Sequence, residues 1–315
     1  MIGIDVGGAN LKVVDEDGAH IHYCPLWTGA PIADLLMPYA EKCNDAGDSE
    51  AAVVMSGELA DCFAGKMEGI AFIVREVQKA FPDSRFYGTD ARFHDGPVPE
   101  LAAANWLASA DFLREKYPGA VLLDVGSTTA DIIPLSRFDT LKGMTDLMRL
   151  QAGYLIYTGM LRTPVAVLVS SVSIAGVPTP VSSEYFAATA DVHLVLGNIA
   201  PEEYSCDTPD KKEKTRKASL CRLARVVCAD LEEIGTSGAE EIARAVWDRQ
   251  RDLVCSGARS VAKKSGTAEI IVAGIGAQIF SRECRGTDLT HVLGANANAL
   301  PAYAVREVAL RNSGN

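Results

Sequence analysis

The sequence predicts an α/β protein built from two duplicated domains with a cleft between them. Buried strand-like runs alternate with amphipathic helical segments along the chain, which is typical of α/β folds. The opening segment IGIDVGGANLKVV (2–14) recurs as AVLLDVGSTTADIIPL (120–135). A repeat at this distance indicates a duplicated domain rather than a solenoid.

The repeat sets the expected domain boundaries. We expect a first domain over 1–117 and a second over 118–299 with a helical insertion. The final helix, expected over 300–312, is a candidate to complete the first domain. No flexible linker separates the halves, so we expect them to pack together.

Hydrophobic spacing and turn residues predict the elements of the first domain in order. The segments IGIDV, LKVVDED and AHIHYC are predicted strands, with a turn at DEDG. The next elements are the helix IADLLMPYAEKCN, the buried strand in EAAVVMSGELAD and the helix GIAFIVREVQKAFP. The domain ends with the short strand SRFYGTD and the long helix VPELAAANWLASADFLREKYPG.

The second domain is predicted to open with the repeated strand–turn–strand unit. It continues with the strand-like TPVAVLVSSV, the helical SEYFAATADVHLVLG and a solvated polar loop containing DKKEKTRK. Two helices are expected at about 217–234 and 237–264. The buried strand EIIVAGIGA and the helix LPAYAVREVALRN close the chain.

Composition narrows the class of protein. Of the 315 residues, 48% are hydrophobic and 23% charged, so the chain can bury a large core. A net charge of −11 argues against nucleic acid as a partner. The eight cysteines show neither CxxC pairs nor zinc-site spacing, so we expect reduced thiols in a cytoplasmic protein. Because the first predicted strand starts at Ile2, we expect no signal peptide. The longest apolar tract is interrupted by prolines, so we expect no membrane span.

The two repeated strand–glycine–strand segments carry the predicted chemistry. Asp5-Val6-Gly7 aligns with Asp124-Val125-Gly126. Glycines let backbone amides approach an anion, and successive amides form an anion-binding nest. A carboxylate at the strand tip can hold a divalent cation against phosphate oxygens. We therefore predict phosphate-binding hairpins, with Asp5 and Asp124 as ligands of Mg²⁺.

Further residues complete the predicted site. The second loop offers several hydroxyl donors, VAGIGA (272–277) is a candidate third wall, and basic side chains would balance a diphosphate. The predicted phosphate-binding residues are Gly7, Gly8, Asn10, Lys12, Lys66, Gly126, Ser127, Thr128, Thr129, Gly274 and Gly276. The predicted catalytic residues are Glu58, Asp61, Asp131 and Arg162, with Arg92 as a further cation candidate.

Each catalytic candidate has a reason and a structural alternative. Glu58 and Asp61 follow a buried strand, where α/β clefts lie, although Ser56 could instead cap a helix there. Asp131 would face Asp124 across the hairpin, or merely cap the turn. Arg162 lies in the Gly/Thr/Pro-rich TGMLRTP, which suggests a fixed loop. Other polar or aromatic residues, His193 and Trp106, are expected to be structural.

The order of these motifs resembles the actin, Hsp70 and sugar-kinase superfamily. That resemblance implies two ribonuclease-H-like domains, the actin-like ATPase fold, with a ligand cleft between them. Within it the chain resembles the hydantoinase A/oxoprolinase group, and more narrowly archaeal and methylotroph proteins linked to tetrahydromethanopterin and methanofuran one-carbon metabolism. The segments that carry the narrower resemblance are MSGELADCFAGKMEGI, AAANWLASA, DVGSTTADIIPL, YTGMLRTPV, EYFAATADVHLVLG and RLARVVCADLEE.

The resemblance implies a transferase of methanofuran biosynthesis. Such an enzyme condenses 5-(aminomethyl)furan-3-yl methyl diphosphate with γ-glutamyl-tyramine, forming an ether and releasing diphosphate. The partners of such an enzyme are these small molecules, and a homodimer remains one possible oligomeric state. Two alternatives also stay open, namely an ATP-dependent kinase or hydantoinase-like enzyme, and a non-enzymatic metabolite-binding scaffold. Ala9-Asn10, where kinase relatives carry Thr or Ser, and the short AGIGAQIF argue against ATP.

Overall fold

The computed structural model describes residues 1–45 and 50–313. The strands are β1 (Ile2–Val6), β2 (Asn10–Val14), β3 (Ala19–Tyr23), β4 (Ala51–Met55), β5 (Arg85–Tyr87), β6 (Phe93–His94), β7 (Val121–Val125), β8 (Ala130–Pro134), β9 (Leu155–Ile156), β10 (Ser171–Ile174), β11 (Val177–Pro180), β12 (Ile270–Ala273) and β13 (Thr287–Asp288). The helices are α1 (Ile32–Asp45), α2 (Lys66–Ala80), α3 (Asn105–Leu113), α4 (Phe138–Leu141), α5 (Asp146–Ala152), α6 (Val165–Leu168), α7 (Thr189–Leu196), α8 (Arg216–Arg225), α9 (Leu231–Lys264), α10 (Ala277–Cys284), α11 (Thr290–Leu293) and α12 (Leu300–Ser313).

Two sheets that share the same five-strand topology organise the fold, and the first has an additional antiparallel edge strand, β6. The first has the order β3-β2-β1-β4-β5-β6 and the second the order β13-β12-β7-β8-β9. In each sheet an antiparallel three-strand meander, β1–β3 or β7–β9, is followed by strands that pair in parallel with it. The parallel partners are β4 and β5 in the first sheet and β12 and β13 in the second. The predicted α/β fold with duplicated ribonuclease-H-like domains is therefore confirmed.

Helices α3 and α12 lie between the two sheets. Their apolar side chains share one core with residues of β4 and β5 and with residues of β7, β8 and β12. The opposite face of the first sheet packs with α1 and α2, and that of the second with α9 and α10. Helix α12 also lies close to β1, β2 and β4, so the end of the chain packs against the first sheet.

Strand alternation decides which side chains face the space between the sheets. In β7, Val121, Leu123 and Val125 pack into the outer core with α9 and α10, whereas Leu122 packs into the central core. Successive side chains of a strand point to opposite faces, so Asp124 shares the central face with Leu122. The same alternation places Asp5 on the central face of β1, because Ile4 and Val6 belong to the outer core.

Three predicted elements differ from the observed ones. The long helix predicted before Pro118 is reduced to a 3-10 turn, Pro99–Leu101, and α3, because Ala103 adopts a left-handed φ of 48° between them. The strand-like TPVAVLVSSV instead forms the short α6 and then β10. The helix predicted over 217–234 is divided, because α8 ends at Arg225 and α9 begins at Leu231. The helix predicted over 237–264 is confirmed, since α9 breaks at Gly235, with φ 67°, and then continues to Lys264.

The expectation that the cysteines are all reduced thiols is wrong for one pair. Cys255 of α9 and Cys284 of α10 form a disulfide with Cα atoms 5.2 Å apart. Both side chains are buried in the outer core of the second sheet. The pair lies 29 residues apart in sequence, so spacing alone gave no sign that the packing of two helices would bring it together.

The part of the chain that the structure describes contains no helix that is both long and apolar enough to cross a membrane. Its longest helix, α9, carries charged side chains along its length.

Candidate active site between two glycine hairpins

The two predicted phosphate hairpins close in the same way. In the first, the amide of Gly7 donates to the carbonyl of Asn10 at 2.9 Å, and in the second Gly126 donates to Thr129 at 2.9 Å. The loops lie side by side, because the Asn10 side-chain amide approaches Ser127 Oγ at 3.5 Å. Residues 126–129 are all half-buried. Amides and hydroxyls of both loops are therefore close enough to serve one ligand.

Each hairpin carries a charged pair directly across its strands. Asp5 pairs with Lys12 in the β1–β2 register, and Asp124 pairs with Asp131 in the β7–β8 register. Lys12 Nζ lies 3.6 Å from Asp5 Oδ2. Asp131 therefore occupies the position in the second hairpin that Lys12 occupies in the first. The two hairpins therefore share their strand geometry and differ in the charge of this cross-strand residue.

The hairpin carboxyls are held at raised pKa values. Burial raises the pKa of Asp124 to about 7, with Lys12 opposing this shift and Asp131 and Asp5 adding to it. Burial also raises the pKa of Asp5, against the opposing charge of Lys12. The residue is 3% exposed and its Oδ1 has no hydrogen-bond partner among the described residues. Concentrated and poorly solvated negative charge of this kind favours a bound cation.

An arginine from α5 holds Asp131. The guanidinium of Arg149 is 2% exposed and forms ion pairs with both Asp131 and Asp146. It also stacks over the Trp106 ring at 4.3 Å. Burial raises the pKa of Asp131, and Arg149 opposes that shift. A buried arginine with two carboxylate partners fixes Asp131 in position, since a fork of donors can engage both acids at once.

Glu58 lies beside the first hairpin on the loop after β4. A Cβ added at the preceding Gly57 would come within 2.9 Å of the Gly7 carbonyl carbon, so the two loops touch. The Glu58 carboxyl is 2% exposed, and within the described chain its Oε2 lacks a hydrogen-bond partner. Burial raises its pKa, with Lys66 opposing and Asp146 adding to the shift. A buried carboxyl with a raised pKa is a candidate proton acceptor near neutral pH.

The predicted third wall packs directly behind the second hairpin. The Gly276 amide donates to Val125 O at 3.0 Å. A Cβ at Gly274, whose φ is +82°, would lie 2.4 Å from both Asp124 Oδ1 and Val125 O. The turn also borders a cavity of about 610 Å³, lined in part by Gly274, Ile275 and Asp288. Glycine is therefore required where this turn approaches the Asp124 carboxyl.

Arg162 bridges the mouth of the cleft. Its backbone amide donates to Ser127 O at 3.0 Å, and its guanidinium carbon lies 4.7 Å from the centre of the Trp27 ring. Trp27 belongs to the 3-10 turn Leu26–Thr28 of the first domain. The contact thus links the second hairpin to a segment beside the first.

Comparison with known proteins places this site in a family. A family model described as Hydantoinase/oxoprolinase matches residues 49–311, which is most of the chain. The chain belongs to the hydantoinase/oxoprolinase family.

Two curated relatives of this hydantoinase/oxoprolinase member bear the same name, (4-{4-[2-(gamma-L-glutamylamino)ethyl]phenoxymethyl}furan-2-yl)methanamine synthase. The protein from Methanocaldococcus jannaschii is 37% identical over 292 residues, covering 89% of this chain and 87% of its own. The protein from Methanococcus vannielii is 40% identical over 172 residues, covering 54% of this chain and 78% of its own.

Among solved structures, the family member is similar to a ROK family glucokinase from Streptomyces griseus in complex with glucose and AMPPNP. The TM-score is 0.43 at 13% identity, with 98% of this chain and 99% of the glucokinase covered. Similarity at this level says nothing about what the hydantoinase/oxoprolinase member binds.

The structure brings most of the predicted residues of this family member together. At one end of the two sheets, the structure gathers the two loops and the Gly274–Gly276 turn. The side chains that meet there are Asp5, Lys12, Glu58, Asp124 and Asp131. Lys66 is half-buried at the start of α2 and acts electrostatically on Glu58. Asp61 is exposed on the loop before α2, and Arg92 is exposed between β5 and β6. The roles assigned to these residues stay predictions.

Sequence reasoning missed several residues of the site in this family member. Arg149, Asp146 and Trp27 come from segments without any motif. Arg149 contacts Asp131 on a different element and Trp27 contacts Arg162 in a distant segment, whereas Asp146 joins the site through Arg149 on its own helix. Gly159 packs against the second loop, where an added Cβ would lie 2.5 Å from Thr128 N. Gly159 lies in TGMLRTP, the segment that also contains Arg162, and a glycine in that segment could have indicated close approach of the backbone.

The residues present fit a magnesium ion bound together with a phosphate ligand. Mg²⁺ commonly uses one or two protein carboxylates and completes its shell with water and phosphate oxygens. Asp5 and Asp124 offer two such carboxylates, and Asp5 Oδ1 is buried without a partner in the described chain. Across the described ranges, no group of three or more His, Cys, Asp or Glu side chains is arranged to hold a metal ion. The predicted metal site therefore depends on oxygen atoms of the ligand.

Proposed function

We propose that this protein is a transferase of methanofuran biosynthesis that joins a furanylmethyl diphosphate to the phenol of γ-glutamyl-tyramine. The name shared by the two relatives describes the product of such a condensation, a phenoxymethylfuran carrying a γ-glutamylaminoethyl group. The observation that carries the proposal is the pair of adjacent amide loops, each with an aspartate at its strand tip, of which Asp5 is buried and Asp124 half-buried. That arrangement suits a diphosphate leaving group.

Binding of the donor substrate begins with the diphosphate. The amides of both loops, the hydroxyls of 127–129 and the ammonium of Lys12 provide donors for its oxygens. Mg²⁺ held by Asp5 and Asp124 would supply positive charge that neutralises the departing diphosphate. Donors fixed in advance by the hairpins cost no reorganisation when charge develops on the leaving group.

The bond that breaks joins the furan-bearing methylene to the bridging oxygen, and its electron pair leaves with the diphosphate. The methylene carbon becomes cationic, and the furan ring oxygen shares that charge. The phenol oxygen of γ-glutamyl-tyramine then bonds to this carbon. Its proton passes to a carboxylate, for which we propose Glu58 because it is buried, lies beside the first hairpin and has a raised pKa.

Direct assay of the condensation tests this function. The folded protein is incubated with 5-(aminomethyl)furan-3-yl methyl diphosphate, γ-glutamyl-tyramine and Mg²⁺, and the ether and released diphosphate are measured. We expect both products in equal amounts. Absence of both from folded protein would refute the proposal, and hydrolysis to furanylmethanol without ether would refute the role of the phenol. A parallel titration with ATP separates the proposal from an ATP-dependent enzyme, for which ATP would bind tightly.

Replacing Glu58 by Gln is expected to lower kcat by roughly a hundredfold to a thousandfold, the usual contribution of a positioned general base. The substitution keeps the buried shape and removes the proton acceptor. Because the Glu58 pKa is raised, the acidic limb of the wild-type pH profile should lie above the ordinary range of glutamate. That limb should disappear in the variant.

Asp61→Asn is the comparison for the Glu58 experiment. Both acids come from the same loop, but Asp61 is exposed. If Asp61→Asn caused the larger loss of kcat and abolished the acidic limb, the base would be Asp61 and the assignment to Glu58 would be wrong.

A further inference from the structure

We propose that Trp27 and Arg162 form a subsite for the furan ring of the diphosphate substrate at the mouth of the cleft. The inference rests on the proposed function and deepens it, since it assigns a binding surface to the group that carries the reacting carbon.

Both residues are anchored to the phosphate loops through the backbone. The amide of Leu26, next to Trp27, donates to Gly8 O at 3.0 Å in the first loop. The amide of Arg162 donates to Ser127 O at 3.0 Å in the second loop. The backbone of Arg162, and that of the residue next to Trp27, is therefore hydrogen-bonded to a phosphate-loop carbonyl. The two loops are adjacent to each other. Any ligand held on the loop amides has these two side chains at its edge.

The two side chains meet across the cleft, and the Arg162 guanidinium still has hydrogen-bond donors for a ligand. The Arg162 guanidinium carbon lies 4.7 Å from the Trp27 ring centre, which is within cation–π range. In the described chain this stacking is the contact made by the guanidinium, and no carboxylate forms an ion pair with it. A guanidinium can stack through its face and still donate hydrogen bonds in its plane. Arg162 can therefore hold the indole and contact a phosphate oxygen together.

A neighbouring aromatic residue extends the same surface. Tyr23 pairs with Asn10 in the β2–β3 register and donates from its hydroxyl to Asp207 Oδ2 at 3.1 Å. Trp27 and Tyr23 are each 37% exposed. Large aromatic side chains left open beside a polar cradle offer a stacking surface for a ring.

The chemistry of the donor substrate selects the furan as the occupant. A single methylene joins the ring to the diphosphate, so a ring whose diphosphate lies on the loop amides must pack at the rim of the loops. The face of an indole also attracts positive charge. Trp27 would thus contact the ring in the ground state and favour the cationic methylene as the bond to oxygen breaks.

Binding of a stable donor analogue tests the subsite. Calorimetry with Mg²⁺ compares inorganic diphosphate with a furanylmethyl phosphonophosphate, in which a methylene replaces the oxygen bound to the furan-bearing carbon. We expect wild type to bind this furanylmethyl analogue about tenfold more tightly, as one aromatic contact of about 1.4 kcal/mol would give. Trp27→Leu should abolish that preference and leave the affinity for inorganic diphosphate within about twofold of wild type. Trp27→Phe should retain most of it.

Tyr117→Leu is the matched control, because Tyr117 is an aromatic residue in cation–π contact with Lys116 and precedes β7, so it lies toward the end of that strand opposite the loop. It should keep the full preference. An unchanged preference in folded Trp27→Leu, or no preference in wild type, overturns the subsite. If Trp27→Leu instead weakens binding of γ-glutamyl-tyramine and leaves binding of the furanylmethyl analogue unchanged, the subsite is also overturned. Trp27 then belongs to the binding site of the acceptor substrate.

The binding assay needs no turnover, so it separates the two proposals. If wild type forms no ether but binds the furanylmethyl analogue more tightly than inorganic diphosphate, and Trp27→Leu does not, the proposed function fails and the subsite stands. If ether forms but Trp27→Leu has the wild-type KM for the furan diphosphate, the function stands and the subsite fails.

Discussion

Asp124→Asn is expected to lower kcat about a thousandfold and to stabilise the metal-free protein above neutral pH. The loss of activity follows from removing one of the two carboxylates proposed to hold the cation that neutralises the leaving group. Such charge stabilisation contributes several kcal/mol, and about 1.4 kcal/mol corresponds to a tenfold change in rate. Steady-state kinetics with saturating Mg²⁺ measures the effect.

The stability change follows from the raised pKa of Asp124. Burial shifts this pKa from its usual value to about 7, so the folded state binds the proton more tightly than the unfolded state. The ionised carboxyl therefore lowers the free energy of unfolding, increasingly as the pH rises through the interval from about 4 to about 7. Asn removes that penalty. Allowing for solvent screening, we expect a gain of about 2 kcal/mol at pH 8 and none below pH 4.

Denaturant unfolding in the presence of a chelator, at several pH values, measures this gain. Asp139→Asn is the control, since Asp139 lies in the same half of the chain, is 83% exposed and has a pKa lowered by its contact with Lys142. It should show no stabilisation at any pH and full activity. Equal unfolding free energies for Asp124→Asn and wild type at pH 8 would mean that the ionised Asp124 carboxyl does not destabilise the folded state.

Gly159→Ala should lower kcat/KM for the furan diphosphate about a hundredfold by displacing the second phosphate loop. An added Cβ would lie 2.5 Å from Ser127 C and from Thr128 N, and 2.7 Å from Gly126 O. These are backbone atoms, so the loop itself must shift, and a displacement of about 1 Å in a positioned group can cost this much. Overpacking should also reduce stability by roughly 1–3 kcal/mol.

Gly119→Ala provides the comparison for Gly159→Ala. Gly119 precedes the start of β7, at the opposite end of the strand from the loop, and an added Cβ would meet nothing within 4 Å. Its kinetics and melting temperature should match wild type closely. Wild-type kcat/KM and affinity for inorganic diphosphate in Gly159→Ala would show that the second loop does not hold the substrate.

The repeated hairpins could be predicted from sequence because their information is local. Asp-Val-Gly at the end of an apolar run fixes a strand, its tip and its turn within a few residues. A spacing of seven residues between Asp124 and Asp131 places both across a tight hairpin, as the observed register does. The duplication also predicted the topology, because two copies of one local pattern imply two copies of one sheet.

Other features of the site depend on contacts between segments that no local pattern connects. Arg149 reaches Asp131 from a different element, and Trp27 reaches Arg162 from the other domain. Ala103 breaks a segment of good helix formers by adopting a left-handed φ of 48°, a conformation that costs a non-glycine residue roughly 1–3 kcal/mol. Ala103 and Ala104 are both buried, so tertiary packing overrides helix propensity at this point.

A crystal structure of the protein with Mg²⁺ and inorganic diphosphate tests the central claim, that both hairpins hold one diphosphate. We expect phosphate oxygens about 2.7–3.2 Å from amides of both loops, Gly8-Ala9 in the first and Ser127–Thr129 in the second. We also expect the cation beside Asp5 and Asp124. Diphosphate bound to one hairpin alone, or in the cavity lined by Ile275 and Asp288, would contradict it.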